Sequence, residues 1–430
     1  MTGSSPRASY ATFRLCVMMF LQFFIWGVWY VPMYPYLVEL GIAPELIGWA
    51  YASTGIAAMV SPFFVGMIAD RFFPSQMVMG VLHLAGGVFL LLASRAEAWA
   101  GFFPFLLLHL LCYMPTLALA NSVLFQNVKD PQQHAPPIRT LGTIGWIASG
   151  VVVGSSFLAG AAGFHMQVPR FLGGPAAPEE WIALGRTHWP LVLGAAASGL
   201  LGLYCFTLPH TPPQLKGQRI SVGDVLGLKA LRLMRDRSFA VFIICSLLIC
   251  IPLSFYFQST NGFLQAMGVP NSEGVMTLGQ VSEIFFLFLV PFFFRKLGVK
   301  KMLLIGMLFW VLRYLLFANA TPQSHALLYL GVLFHGICYD FFFFTGQLYV
   351  DRRAPQDVRA SAQGFIAFVT LGVGMFIGGI LNGWWNGRQT TGETVNWPAV
   401  WYFPAIMAAA VLVAFFILFR DKQVESGKAS

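Results

Sequence analysis

Residues 239–267 read FAVFIICSLLICIPLSFYFQSTNGFLQAM. No Asp, Glu, Lys or Arg interrupts them. A helix needs about 20 mostly apolar residues to cross the hydrocarbon core of a bilayer, so this run is long enough to span it once. It is not apolar all round. Ser254, Gln258, Asn261 and Gln265 recur at the spacing of one helix face. Lipid does not tolerate such a face, so it must turn toward other helices or toward a polar cavity.

Working outward from this run, the chain repeats the pattern. Apolar stretches at about 12–38, 45–69, 75–94, 100–127, 138–160 and 187–208 precede it, and stretches at 274–295, 299–319, 325–350, 356–385 and 397–420 follow. With 239–267 that makes twelve candidate spans. Of the 430 residues, 57% are hydrophobic and only 10% are charged, against about a quarter charged in soluble domains. The period-2 alternation of a transmembrane β-barrel is absent. The reading is an all-α membrane protein with twelve transmembrane helices. The apolar segment after Arg14 is too long for the core of a cleavable signal peptide and is read as the first span.

The Lys and Arg residues orient the chain. With both termini cytoplasmic, 21 of the 26 fall on the inner side and four outside (Arg95, Arg170, Arg186, Arg388); Arg313 lies within a span. Cytoplasmic loops carry this excess, so the asymmetry accounts for the net charge of +9 without a nucleic-acid partner. The longest inner segment, about 209–238, contains Pro212, Pro213 and a basic, helical-looking stretch from Leu226 to Arg237. It separates an N-terminal six-helix bundle, 1–208, from a C-terminal one, 239–430. The longest outer loop, about 161–186, is rich in Gly, Ala and Pro and is expected to be a mobile cap without chemistry.

The halves echo each other. Arg139-Thr-Leu-Gly142 opens the fifth span, and Arg359-Ala-Ser-Ala-Gln-Gly364 opens the eleventh. Parallel repeats of six spans with a substrate site at their interface are a known transporter design. Gly66-Met-Ile-Ala-Asp70-Arg71 resembles the loop motif of the major facilitator superfamily. The resemblance implies two six-helix bundles around a central cavity, with Asp70 and Arg71 in a cytoplasmic gate. Phe73-Pro74 stands where a second basic residue is often found.

Ionisable groups inside a membrane are costly and mark function by default. Glu283 falls mid-way along the eighth span, Asp340 along the tenth and Arg313 in the ninth. His83, His109 and His335 fall in the third, fourth and tenth. Helical spacing groups Arg139, Thr143 and Trp146 on one face, Gln280 with Glu283 on another, and His335 with Tyr339 on a third. Gln22, Trp26 and Trp29 share a face of the first span. Amides, carboxylates, an Arg and aromatic rings together suit a flat ring bearing hydroxyls. Competing readings exist. Gln280 could bond only a neighbouring helix, and Trp26, Trp29 and Tyr30 could be packing or interfacial anchors. His83 and His109 read as satisfied structural histidines, and Arg313 as a snorkelling or structurally paired residue.

A closer match rests on Leu21–Trp29 (LQFFIWGVW), Tyr113–Leu117 (YMPTL), Pro136–Gly145 (PPIRTLGTIG), Gln280–Glu283 (QVSE), Tyr339–Phe342 (YDFF) and Arg359–Gly364 (RASAQG). These resemble the nucleoside:proton symporters, a bacterial branch of the superfamily. The resemblance implies an inner-membrane carrier with nucleoside and protons as its partners, and it places Arg139, Thr143, Gln280 and Glu283 on the nucleoside. Trp146 and Tyr339 stand where better-known members have Phe, and His335 where they have Tyr; Gln258 and Asn261 supply the amides of the seventh span. Two carboxylates on cavity-lining spans suggest proton coupling, with Glu283 on substrate and proton and Asp340 chiefly on coupling. A carboxylate in a low-dielectric cavity holds its proton more tightly than one in water.

No metal-ligand cluster, phosphate-cradling Gly loop or nucleophile triad stands out, so neither an enzyme nor a cofactor is expected. The six cysteines lie singly in apolar stretches and read as small hydrophobes. A monomer is expected. A passive facilitator, or a carrier of a sugar or drug-like solute, remains the alternative.

Overall fold

The computed structural model describes residues 6–160, 163–213, 228–356 and 358–420. It is built almost wholly of helices: α1 (Pro6–Tyr30), α2 (Met33–Glu39), α3 (Pro44–Arg71), α4 (Ser75–Ala93), α5 (Trp99–Asn127), α6 (Pro131–Gly154), α7 (Trp189–Cys205), α8 (Arg237–Ala266) and α9 (Ser272–Ala318) come first. A rod of α10 (His325–Leu333), α11 (His335–Tyr339), a π-helical turn (Asp340–Phe344) and α12 (Thr345–Arg353) follows. Then come α13 (Arg359–Ala367), a second π-helical stretch (Phe368–Gly374), α14 (Met375–Gln389) and α15 (Trp397–Leu418). Among the described residues, 8 helical segments are long and apolar enough to cross a membrane.

Local chemistry sets the breaks. Pro6, Pro44 and Pro131 stand at the first helical position, where the missing N–H is not needed. Pro32 interrupts the first span, read from sequence as continuous over 12–38, because it cannot donate to Val28 and its ring crowds that carbonyl. At 1.5 Å per residue the 47 residues of α9 would reach about 70 Å, more than twice the hydrocarbon thickness. The helix breaks at Gly298 (φ 69°, ψ 175°), a conformation open in practice to glycine alone, and this separates the expected eighth and ninth spans. The π-helical turns each carry an extra residue per turn and occur most often at functional sites. One of them begins at Asp340.

The fifth span and the loop after it differ from the sequence reading. The helix ends at Gly154 rather than at 160. The chain then forms β1 (Ser156–Ala159), pairing antiparallel with both β2 (Gly163–Met166) and β3 (Ile182–Ala183). The segment expected as a cap over 161–186 thus contributes two short strands to a sheet, with 3-10 turns at Arg170–Leu172 and Leu184–Arg186. Trp181 holds it, stacking on His165 at 4.6 Å and leaning on Phe157 at 5.9 Å. The Arg170 N–H donates to Asn271 Oδ1 at 2.9 Å, and Arg186 pairs with Glu39 at 3.3 Å. The basic stretch expected over 226–237 is a 3-10 helix, Leu228–Arg235, where it is described, and passes into α8 at Asp236. Residues 226 and 227 lie outside the described part.

By contact density the chain forms two units: Met1–Ile42 with Ala57–Ile220 and Pro270–Thr277, and Ala43–Ile56 with Ser221–Val269 and Leu278–Ser430. In the first, the start of α9 lies on α6: a Cβ at Gly154 would stand 2.6 Å from Gly274 N. In the second, the start of α3 lies on α14: a Cβ at Gly48 would stand 2.7 Å from Gly379 O, and one at Gly379 2.7 Å from Ala52 N. Backbone meets backbone at both places, which only glycine permits.

Candidate functional site

In the first unit α1 and α6 lie close enough for aromatic rings to interlock. A Cβ at Gly27 would stand 3.1 Å from Trp146 Cδ2, and Gly145 abuts the Phe20 carbonyl. Trp146 meets Trp26 at 5.6 Å and Tyr30 at 6.5 Å between ring centroids, both edge-on. Trp26 in turn leans on Tyr113 at 5.9 Å. The buried Trp26 indole Nε1 has no hydrogen-bond partner among the described residues. A half-buried aromatic box with a spare N–H can stack a flat ring and donate to it. Thr143 is half-buried and Arg139 exposed on the same helix, one and two turns before Trp146.

Behind this box lies a closed polar network. Gln22 Nε2 donates to Thr116 Oγ1 at 2.8 Å, and Gln22 Oε1 faces His83 Nε2 at 3.0 Å. His83 Nδ1 meets Ser198 Oγ at 3.3 Å, and the Tyr113 hydroxyl donates to the Gln22 carbonyl. Both nitrogens of His83 are engaged, as a structural histidine requires. His109 bonds the Gly86 carbonyl at 2.8 Å through Nδ1, while its Nε2 lacks a described partner.

The second unit holds the carboxylates. Gly336 brings α11 onto α9, since a Cβ there would stand 2.5 Å from Ser282 O and 2.6 Å from Glu283 N. Ser282 Oγ clips the same junction by donating to the Leu333 carbonyl at 2.6 Å. As a result His335 Nε2 lies 3.8 Å from Glu283 Oε2, with the Glu283 side chain 20% exposed. The His335 ring stacks on Tyr256 at 5.1 Å and 17°, and meets Tyr339 at 5.5 Å. Asp340, at the start of the π-helical turn, is 2% exposed, and its Oδ2 has no described partner.

Two amides complete the set. Gln258 is wholly buried, and neither its Oε1 nor its Nε2 finds a described partner. Gln280 is also buried, and its Oε1 is unsatisfied. Each unmet buried amide atom costs about 1–3 kcal/mol. Such atoms persist where a ligand or water supplies the missing bond. Asn261 is buried beside Gln258 and does make contacts.

The comparisons with known proteins fit this chemistry. The family model described as "Nucleoside H+ symporter" matches residues 10–424. The chain belongs to the nucleoside H+ symporter family. It is 43% identical over 423 residues to a protein named as a nucleoside transporter, YegT, of Escherichia coli K12, covering 96% of this chain and 95% of the other. It is 31% identical to the nucleoside permease NupG of the same organism, covering 96% of each. Two crystal structures of NupG, both 30% identical, match with TM-scores of 0.84 and 0.81 over 95% and 96% of this chain and all of theirs. The fold is that of a helical membrane transporter.

For this member of the nucleoside H+ symporter family, the structure gathers Glu283, His335 and Tyr339 into one cluster in the second unit, and Trp146 with Trp26 and Tyr30 into another in the first. Asp70 and Arg71 end α3, but their side chains lie outside the described part of the structure. Arg313 does not snorkel: it is fully buried.

The sequence reading missed Tyr256, two residues before Gln258 on the same span. It also missed Asn382 and Asn386 on α14, both fully buried and bonded to Ser259 Oγ at 3.0 and 3.2 Å. Their signal was present as two amides one turn apart in an uncharged run.

Proposed function

We propose that this chain carries nucleosides into the cell together with protons, by alternating access, in the bacterial inner membrane. The observation that carries this reading is the Glu283–His335 contact with the unsatisfied amides of Gln258 and Gln280 in the same unit. Family membership supplies the substrate class. In this reading the chain has twelve spans in a six-plus-six arrangement, 1–208 and 239–430, joined by a cytoplasmic linker at 209–238. Both termini are cytoplasmic, the carrier is a monomer, and nucleic acid plays no part.

Trp146 and Tyr339 stack on or flank the base. Arg139, Thr143, Gln280 and Glu283 bond the ribose or the polar edge of the base, and Gln258, Asn261 and His335 complete the contacts. Glu283 takes part in both substrate and proton binding, and Asp340 chiefly couples the two. Protonation from outside favours nucleoside binding and inward closure; proton loss inside resets the carrier. Proton and nucleoside bias one conformational equilibrium, so each strengthens the binding of the other. Asp70 and Arg71 act at the cytoplasmic gate.

The test is uptake of labelled uridine and adenosine into proteoliposomes, with and without an inward proton gradient, for the wild type and Glu283→Gln. Gradient-driven accumulation that Glu283→Gln abolishes is the expected result. Accumulation indifferent to the gradient would instead make this a passive facilitator. No uptake of either nucleoside by folded, inserted protein would mean that the solute is of another class.

A further inference from the structure

Arg313 has no place in the mechanism above, yet its surroundings are unusual. It is 0% exposed, and its Nε donates to the Gly331 carbonyl at 3.0 Å. Neither Nη1 nor Nη2 has a hydrogen-bond partner among the described residues. Among those residues no carboxylate comes within ion-pair distance of it. A buried, unpaired cation is strongly destabilising unless a counter-charge lies near.

The guanidinium lies 3.9 Å above the centroid of Tyr256. His335 stacks on the same ring at 5.1 Å, and His335 Nε2 reaches Glu283 Oε2 at 3.8 Å. Arg313, Tyr256, His335 and Glu283 thus form a continuous chain of contacts from the core of the second unit to Glu283. The other titratable groups beside it are Tyr314, whose hydroxyl donates to the Pro252 carbonyl at 2.6 Å, and Cys338; Asp340 is buried at the start of the π-helical turn after α11. None of these is an anion except the two carboxylates.

We infer that Arg313 is the fixed counter-charge of Glu283, a positioning residue that acts through Tyr256 and His335 to set how readily that carboxylate gives up the coupling proton. The inference rests on the symporter reading and adds a residue to it. A fixed cation favours the ionised carboxylate. It also disfavours a second cation beside the Tyr256 ring, so the coupling proton stays on Glu283 rather than on His335.

The experiment has two arms. In the first, uridine exchange is measured in proteoliposomes from pH 5 to 9 for the wild type, Arg313→Gln and Arg313→Lys. Arg313→Gln is expected to move the pH midpoint upward by about one unit, and Arg313→Lys to leave it near the wild-type value. A folded Arg313→Gln protein with an unchanged midpoint would overturn the inference, because a purely packing role does not move a pH profile. The second arm needs no transport. Melting of purified protein at pH 8 is compared for Arg313→Gln alone and for Arg313→Gln added to Glu283→Gln/Asp340→Asn. The loss on removing Arg313 is expected to shrink by about 3 °C or more in the neutral background, where the cation has lost its counter-charge. Equal losses in both backgrounds would overturn it. Should the wild type move neither uridine nor adenosine, the symporter reading fails while this arm still judges Arg313.

Discussion

Glu283 and His335 meet at 3.8 Å because the residue after His335 is a glycine. A Cβ at Gly336 would stand 2.5 Å from the Ser282 carbonyl oxygen, and that atom belongs to the backbone of α9 and cannot rotate away. Gly336→Val is expected to push the helices apart, cost about 1–3 kcal/mol and lower the melting temperature. Nucleoside affinity should fall further than in a valine substitution at Gly199, where a Cβ would meet nothing within 4 Å. Equal effects at the two glycines would contradict the role given to the close approach.

Gln280→Ala tests the unsatisfied amide. If Oε1 receives its bond from the nucleoside, the alanine variant binds about ten- to a hundredfold more weakly, with little change in melting temperature. Isothermal titration with uridine reads this directly. Unchanged affinity would assign Gln280 to packing between helices.

Asp340→Asn separates coupling from binding. Its carboxylate is buried with Oδ2 unsatisfied at the start of a π-helical turn. Nucleoside exchange down its own gradient should persist in the variant, and accumulation against a gradient should be lost. Full accumulation would remove Asp340 from the proton path.

Asp236 gives a prediction outside the membrane spans. It caps α8 by accepting from Phe239 N at 2.9 Å and pairs with Arg353 at 2.5 Å. Partial burial pushes its carboxyl up, but the Phe239 N–H and the Arg353 guanidinium outweigh this, and the net shift is below the ordinary carboxylate value of 3.8. A depressed folded-state value stabilises the protein above the unfolded value, and that contribution is lost as pH falls through the folded one. Asp236→Asn should therefore lower stability at pH 7, by about 0.5 kcal/mol after solvent screening of this partly exposed pair. The gap from wild type should close in acid, below about pH 4. Melting curves at pH 7 and pH 3 check the sign; a gap that widens in acid would contradict it.

Most of the fold was legible because the bilayer imposes a length and a composition on each crossing. Arg139, Thr143 and Trp146 could be grouped by spacing alone, since all three lie on α6. Spacing could not join residues of different helices. Nothing in the sequence says that Tyr256 stacks on His335, or that Asn382 and Asn386 bond Ser259. The three-stranded sheet after α6 was hidden for another reason. Its strands are two to four residues long, and the rings that hold it are scattered through a Gly- and Pro-rich run.

The sequence by itself determined that the protein is a bundle of membrane helices, which residues are ionisable within it, and which of them share a helix face. These are local properties, set by the 3.6-residue period and by the cost of exposing polar groups to lipid. Only the tertiary structure decided that Glu283 touches His335, that Gln258 is left with both amide atoms unmet, and that Arg313 is sealed in the core behind Tyr256. Those facts depend on glycines: Gly336 lets the backbone of α11 lie against that of α9, and Gly279 leaves room for the His335 and Tyr256 side chains. A close approach of that kind is a property of two surfaces, and neither segment carries it alone.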